Sequence, residues 1–148
     1  MAKKKSNNGE WFYEGKPLTE APIGYEGIIY VIYNRTKDKK YVGRKSFYSY
    51  SKKKLTPAEK LLPENKRKTF KITKTNTTWQ SYTGSCSELN ADIKAGDIIE
   101  KVVLRLCETR KEMTVWECKY IFCDCILEDW CYNQNILGKL FKADFNLK

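Results

Sequence analysis

The sequence contains no histidine among its 148 residues. That removes the Ser-His-Asp triad, the Cys-His pair of papain-like proteases, Cys/His zinc fingers and every proton transfer that relies on imidazole. An enzyme built on this chain must draw its base from Tyr, Lys, Glu, Asp or Cys. Long apolar runs are missing too, since none approaches the roughly 20 residues of a membrane span. Residues 1–8 are basic and polar, without the apolar stretch of a secretory signal. They read as a disordered tail, and a cytoplasmic location is the expectation. Carboxylates are scarce where cations are dense. From Arg35 to Lys74 there are 15 Lys or Arg against 3 Asp or Glu, in a chain of net charge +10, so the remainder sums to about −2. Charge concentrated this way fits a polyanion, because neutralising phosphates releases condensed counterions. The plainer alternative is a solvated lysine-rich loop.

What is present suffices for one domain. Hydrophobic residues make up 41% of the chain, enough for a core without disulfide staples. Six cysteines occur, with Cys118, Cys123, Cys125 and Cys131 clustered but no C-x-x-C pair. With no signal peptide, all six read as small buried hydrophobes; a zinc site and a structural disulfide are the alternatives.

The pattern of elements starts with a short arm, Gly9–Gly24, whose Trp11, Phe12 and Tyr13 are expected to pack on the domain. Gly27–Asn34 is a continuous apolar and β-branched run, which reads as a buried strand. A polar turn at Lys37–Lys40 leads to a second, shorter strand, Lys40–Gly43. Pro57 opens a short helix that Pro63 stops. Ser85-Cys86-Ser87-Glu88 has the form of a capping box, with Ser85 as N-cap, opening a helix that ends at Gly96. Ile98–Cys107 is a third strand. Thr109-Arg110-Lys111-Glu112 is a second capping box, before a helix to Leu127. Met113, Trp116, Tyr120, Cys123 and Leu127 fall on one helical face and Val115, Cys118, Phe122 and Ile126 on another, so this helix is expected to be largely buried.

Gly27-Ile28-Ile29-Tyr30 on the first strand and Tyr41-Val42-Gly43 on the second, with Arg44 and Lys45 directly after, resemble the signature of the GIY-YIG nucleases. More narrowly, YVGRKSF, a long basic insert, the W-x-x-Y-x-G-S segment from Trp79 to Ser85, Glu117-Cys118-Lys119 and Tyr132-Asn133 are similar, in this order, to a phage-borne branch of Seg-like homing endonucleases. The resemblance spans about Gly24 to Asn135. It implies an α/β (α+β) fold with a small three-stranded antiparallel sheet flanked by helices. The domain would run over residues 23–137 with a basic DNA-binding insert at 46–78, between a tail and arm at 1–22 and a tail at 138–148. Two departures stand out. An extra residue separates Gly27 from Tyr30, so the tyrosine is the aligned position. Ser49-Tyr50-Ser51-Lys52 occupies the region where many members carry a later arginine, which leaves its role to Arg44, Lys45 or the run Lys52, Lys53, Lys54.

The resemblance further implies a divalent-metal-dependent DNA endonuclease, with Tyr41 as general base, Tyr30 orienting the water or holding Tyr41, and Glu117 as metal ligand. Mg²⁺ or Mn²⁺ suits an oxygen donor, and one carboxylate plus waters and phosphate is a sufficient set. Because a free phenol titrates near ~10, Arg44, Lys45 or the metal must favour the phenolate. Arg44 also suits bidentate phosphate recognition. For Glu117 the plainer reading is a buried carboxylate paired with a nearby Lys or Arg. Asn133 either anchors the site, touches phosphate or caps the preceding helix. Lys52, Lys53, Lys54, Lys66, Arg67 and Lys68, interleaved with aromatics, form the expected DNA grip. No DNA-reading module is visible, so specificity is either modest or supplied by a protein partner. The competing readings are a DNA-binding module without catalysis and a nuclease for RNA or branched DNA. A phage-like source would place the activity in an infected bacterial cytoplasm.

Overall fold

The aromatic segment after residue 8 is the rim of a sheet. In the computed structural model, which describes residues 9–144, Trp11–Tyr13 forms strand β1 and Lys16–Leu18 forms β2. There follow β3 (Gly27–Asn34), β4 (Lys39–Ser46), β5 (Tyr48–Lys54), a short helix α1 (Pro57–Lys60), β6 (Phe70–Asn76), α2 (Ser87–Lys94), β7 (Ile99–Cys107), α3 (Arg110–Asp124), β8 (Asn135–Ile136) and β9 (Leu140–Phe141). The basic tail expected at residues 1–8 lies outside the described residues. Contacts divide the chain into two units, one made of the chain up to Phe47 and from Thr78 onward, the other of Tyr48–Thr77.

The larger unit is built on a sheet of five strands where three were expected, in the order β2-β1-β7-β3-β4. The two extra strands come from the arm. They are three residues each, too short for an alternation to show in the sequence. β1 joins by parallel pairing, with Trp11 opposite Lys101. Trp11 is 1% exposed, and its Nε1 donates to the Trp79 carbonyl at 2.8 Å. β3 lies between β4 and β7, and its run is apolar on both faces because both are covered: Ile29 and Val31 cluster with Met113 and Ile121 of α3, while Tyr30 packs on Trp11. The β3–β4 hairpin is in regular register from Gly27 opposite Ser46 to Asn34 opposite Lys39. The extra residue of the first motif therefore leaves this register undisturbed, and Tyr30 faces Gly43. A register shift falls on the other side of β3, where Ile29 pairs Arg105 and Tyr30 pairs Val103.

Helix α3 is less buried than its two apolar stripes predicted. Met113 and Ile121 are its buried residues, while Val115 and Phe122 are 64% and 65% exposed. The sheet meets one side of the helix, centred on the i, i+4, i+8 row Met113, Glu117, Ile121, with Trp116, Cys118 and Tyr120 half-buried at its flanks. Around Met113 and Ile121 the core gathers Ile29, Val31, Val42, Cys107 and Ile126. Thr109 caps α3 by accepting from the Glu112 N–H at 3.1 Å. The Glu112 carboxylate bonds the N–H of Glu108 and not that of Thr109, so the reciprocal half of the box shifts by one residue. The cysteines divide. Cys107 is buried, Cys118 and Cys123 are not, and Cys125 and Cys131 are joined in a disulfide with Cα atoms 5.5 Å apart. Among the described residues no helix is long and apolar enough to cross a membrane.

The smaller unit is a two-stranded antiparallel ribbon, β5 with β6, whose connection carries α1. Thr56 and Glu59 form a complete capping box there, one the sequence reading passed over. Lys52, Lys53, Lys54, Lys66, Arg67 and Lys68 are all exposed.

Candidate active site

Strand β4 is the last of its sheet, and its open edge lines a cleft of about 440 Å³. Tyr41, Arg44, Ser85, Glu117 and Asn133 line it together. Alternation puts Tyr41 on one face of β4 and Arg44 on the other. They share the cleft because no further strand closes the edge between them. Part of that edge is closed by the chain after α3. The Asn133 carboxamide accepts from the Val42 N–H at 2.9 Å and donates to the Val42 carbonyl at 2.7 Å, as a neighbouring strand would. Asn133 is therefore an edge clasp on β4 and makes none of the helix caps considered for it. It is held in turn by Tyr132, whose backbone N–H donates to the Lys40 carbonyl at 2.8 Å. The Tyr132 hydroxyl donates to Asp92 at 2.6 Å and accepts from Asn34 at 2.9 Å. Burial, then the Asp92 hydrogen bond, push that phenol far above its ordinary range. The hydrogen bonds from Lys37 and Tyr132 hold Asp92 below the usual carboxylate range.

The two motif tyrosines lie side by side with ring centroids 6.3 Å apart. Their environments differ. Tyr30 is 1% exposed and packs against Trp11 at 4.9 Å. Burial, followed by the neighbouring phenols of Tyr41 and Tyr82, pushes its pKa well up. It sits behind Tyr41 and is not part of the cleft lining. Two glycines make room for the pair. A Cβ on Gly43 would lie 2.5 Å from the Tyr30 hydroxyl, and one on Gly84 would lie 2.8 Å from Tyr41 Cε1. Gly84 also has φ +84°, which an L side chain adopts only with strain. Gly84→Ala is therefore expected to lower the unfolding free energy by about 1–3 kcal/mol, read as a drop in the urea midpoint; an unchanged midpoint would show that the turn relaxes without cost.

Tyr41 meets a hydroxyl that the sequence reading assigned elsewhere. Ser85 was expected to cap α2, but Cys86 occupies the cap position without a side-chain bond. The Ser85 Oγ lies instead 3.3 Å from the Tyr41 hydroxyl. The turn that presents it is tied down by Asn90, whose side chain donates to the Gly84 and Cys86 carbonyls and accepts from Thr83. Upstream, the Lys101 ammonium donates to the Gln80 carbonyl at 2.9 Å, beneath the Trp11 ring. Burial pushes Lys101 down to about 8.

Electrostatics at the cleft differ from the expectation that cations flank the base. Arg44 pairs with Glu117, Nε to Oε2 at 3.3 Å, and its other arm bonds Thr114. Lys45 lies over the Tyr82 ring at 4.3 Å and does not line the cleft. Tyr41 is accordingly raised, by burial first and by the Glu117 charge, with only the Ser85 hydrogen bond opposing. Glu117 is raised by burial, against the pull of Arg44. Its side chain is 20% exposed, at the cleft wall.

The donor set bears on which ion the cleft can hold. Among the described residues no three His, Cys, Asp or Glu side chains converge on a metal position. One desolvated carboxylate at an open, polar cleft does fit a largely hydrated hard cation, which takes one or two carboxylates and fills its remaining positions with water and phosphate.

Among known protein families, residues 11–136 match the one described as "Putative endonuclease segE, GIY-YIG domain". No curated protein and no solved structure gives a significant match.

Proposed function

The chain belongs to the GIY-YIG nuclease family, in its Seg-like endonuclease branch, and on that premise we propose that it hydrolyses the phosphodiester backbone of DNA in the cleft along β4. The observation that carries this reading is the convergence of Tyr41, Arg44 and Glu117 on one open cavity of about 440 Å³. Tyr41 is the general base. It lines the cleft, and Ser85 is placed to hydrogen-bond the phenolate once the proton leaves. Tyr30, buried behind it, fixes the ring. Arg44 turns from Glu117 to the scissile phosphate and neutralises its oxygens. Asn133 positions Tyr41 and Arg44 by fixing Val42, the residue between Tyr41 and Gly43. Glu117 would hold a divalent ion, Mg²⁺ or Mn²⁺, whose chemistry is to stabilise charge on the phosphorane and on the leaving 3′ oxygen. A Seg-like role in homing, in a bacterial cytoplasm, is the setting that suits this activity.

The Arg44–Glu117 pair favours one rival. A closed ion pair is what a DNA-binding module without catalysis would keep. Supercoiled plasmid separates the two. Nicking in Mg²⁺ that stops on chelation with EDTA is expected. A shift of the same plasmid on a gel, with no nicking in Mg²⁺ or Mn²⁺, would establish the binding module instead.

A further inference from the structure

The ribbon of β5 and β6 has two unlike faces. In its register Ser49 stands opposite Thr75, Ser51 opposite Thr73 and Lys53 opposite Lys71. Side chains alternate along a strand, so these six share one face. Each bears a hydrogen-bonding group, none is aromatic or purely apolar, and all but the half-buried Thr73 are exposed. The other face mixes lysines with Tyr50, Phe70 and Ile72. Directly opposed like charges such as Lys53 and Lys71 repel. Here the Glu59 carboxylate, 2.9 Å from the Lys71 ammonium, offsets that repulsion and fixes the lysine in place. Glu59 is held below its ordinary range by that bond first.

We propose that the Ser/Thr/Lys face reads base edges in the major groove of duplex DNA, so that sequence preference comes from this chain and not from a protein partner. A two-stranded ribbon is one of the two elements the major groove admits, and Ser, Thr and Lys supply the donors and acceptors that its base edges answer. The charge around it suits the flanking phosphates. The unit Tyr48–Thr77 carries nine Lys or Arg against two Glu. The major groove of A-form RNA is too deep and narrow for side chains to read, which favours duplex DNA. The choice of a nucleic-acid substrate rests on the nuclease reading above; the composition of the two faces does not.

The test uses binding, so that it does not depend on cleavage. Full-length Glu117→Gln protein is used to select ligands from random-sequence DNA duplexes. A short enriched motif is expected. In the Ser51→Val/Thr73→Val variant, which keeps the ribbon's strand propensity, the affinity ratio between that motif and random duplex should fall about tenfold or more. Lys52→Ala, on the opposite face, should weaken both by a similar factor and lower the salt slope by about one. Three results overturn the proposal: no enriched motif, an unchanged ratio in a double variant whose thermal unfolding matches its parent, or preference for structured RNA over duplex DNA. Failure of the nuclease reading shows separately, as wild-type protein that never nicks plasmid in Mg²⁺.

Discussion

Glutamine in place of Glu117 is expected to slow plasmid nicking about a thousandfold or more, the size of several kcal/mol of charge stabilisation withheld from the transition state. The metal-free fold should lose nothing. Burial raises the Glu117 pKa above its ordinary value of 4.5, with Arg44 pulling the other way. A carboxyl whose pKa is higher in the fold than in the unfolded chain contributes stability below the unfolded value, and that contribution is lost as pH rises through the folded one. At neutral pH the ionised Glu117 therefore costs stability, and glutamine removes the cost. Arg44, 40% exposed, keeps Thr114 and water as partners. A thermal-unfolding series with and without Mg²⁺ carries the second half of the prediction. The ion should raise the midpoint of the wild type by mass action and leave Glu117→Gln unmoved. A variant that nicks at the wild-type rate would remove Glu117 from the reaction. One that loses activity because it unfolds at lower temperature would make the carboxylate a member of a structural ion pair.

The sequence was informative where chemistry follows from local order, and silent where it follows from edges. The apolar run of β3 and its regular pairing with β4 made the hairpin legible, and with it the placement of two tyrosines on one face. Thr109 announced the start of α3. The edges of the sheet were hidden. β1 and β2 are too short to show a period, and β1 is docked by parallel pairing with β7 and by one indole bonded to a carbonyl 68 residues away in sequence. For Asn133 the sequence offered an anchor, a phosphate contact and a helix cap without choosing among them. An amide after a helix reads the same whether it caps the helix or replaces a strand, and only the missing neighbour of β4 decides. Ser85 sat in a pattern that predicts a cap, yet the helix begins one residue later and the hydroxyl goes to Tyr41. On α3 the apolar stripes hold only in part. Met113, Trp116 and Tyr120 pack against the core while Val115 and Phe122 face solvent, and the buried Met113 and Ile121 bracket Glu117 in one i, i+4, i+8 row. That row carries the carboxylate into the cleft because it lies between two core residues, one turn from each.

Tyr41→Phe should lower the nicking rate by about 10²–10⁴, the range for losing a positioned general base, and should change the shape of its pH dependence. The variant keeps the ring against Tyr30 and beneath Gly84, so packing is preserved and only the hydroxyl goes. Burial and the Glu117 charge raise Tyr41 above the ordinary phenol value of 10.0. At neutral pH the phenolate is a minor species, and the wild-type rate should climb about tenfold per pH unit on the alkaline side of neutral. Tyr41→Phe should stay flat on its low baseline over the same range. The climb has a ceiling. A phenol whose folded pKa is raised contributes stability below its unfolded value that is lost as pH rises through the folded one, so the alkaline limb ends as the fold weakens. Glu117 links this profile to the ion. Neutralising the carboxylate removes a charge that holds Tyr41 up, so the wild-type profile should move to lower pH as Mg²⁺ is raised. Tyr41→Phe protein that climbs with the wild-type slope would mean that solvent hydroxide, and not the phenol, takes the proton, leaving Tyr41 a wall of the cleft.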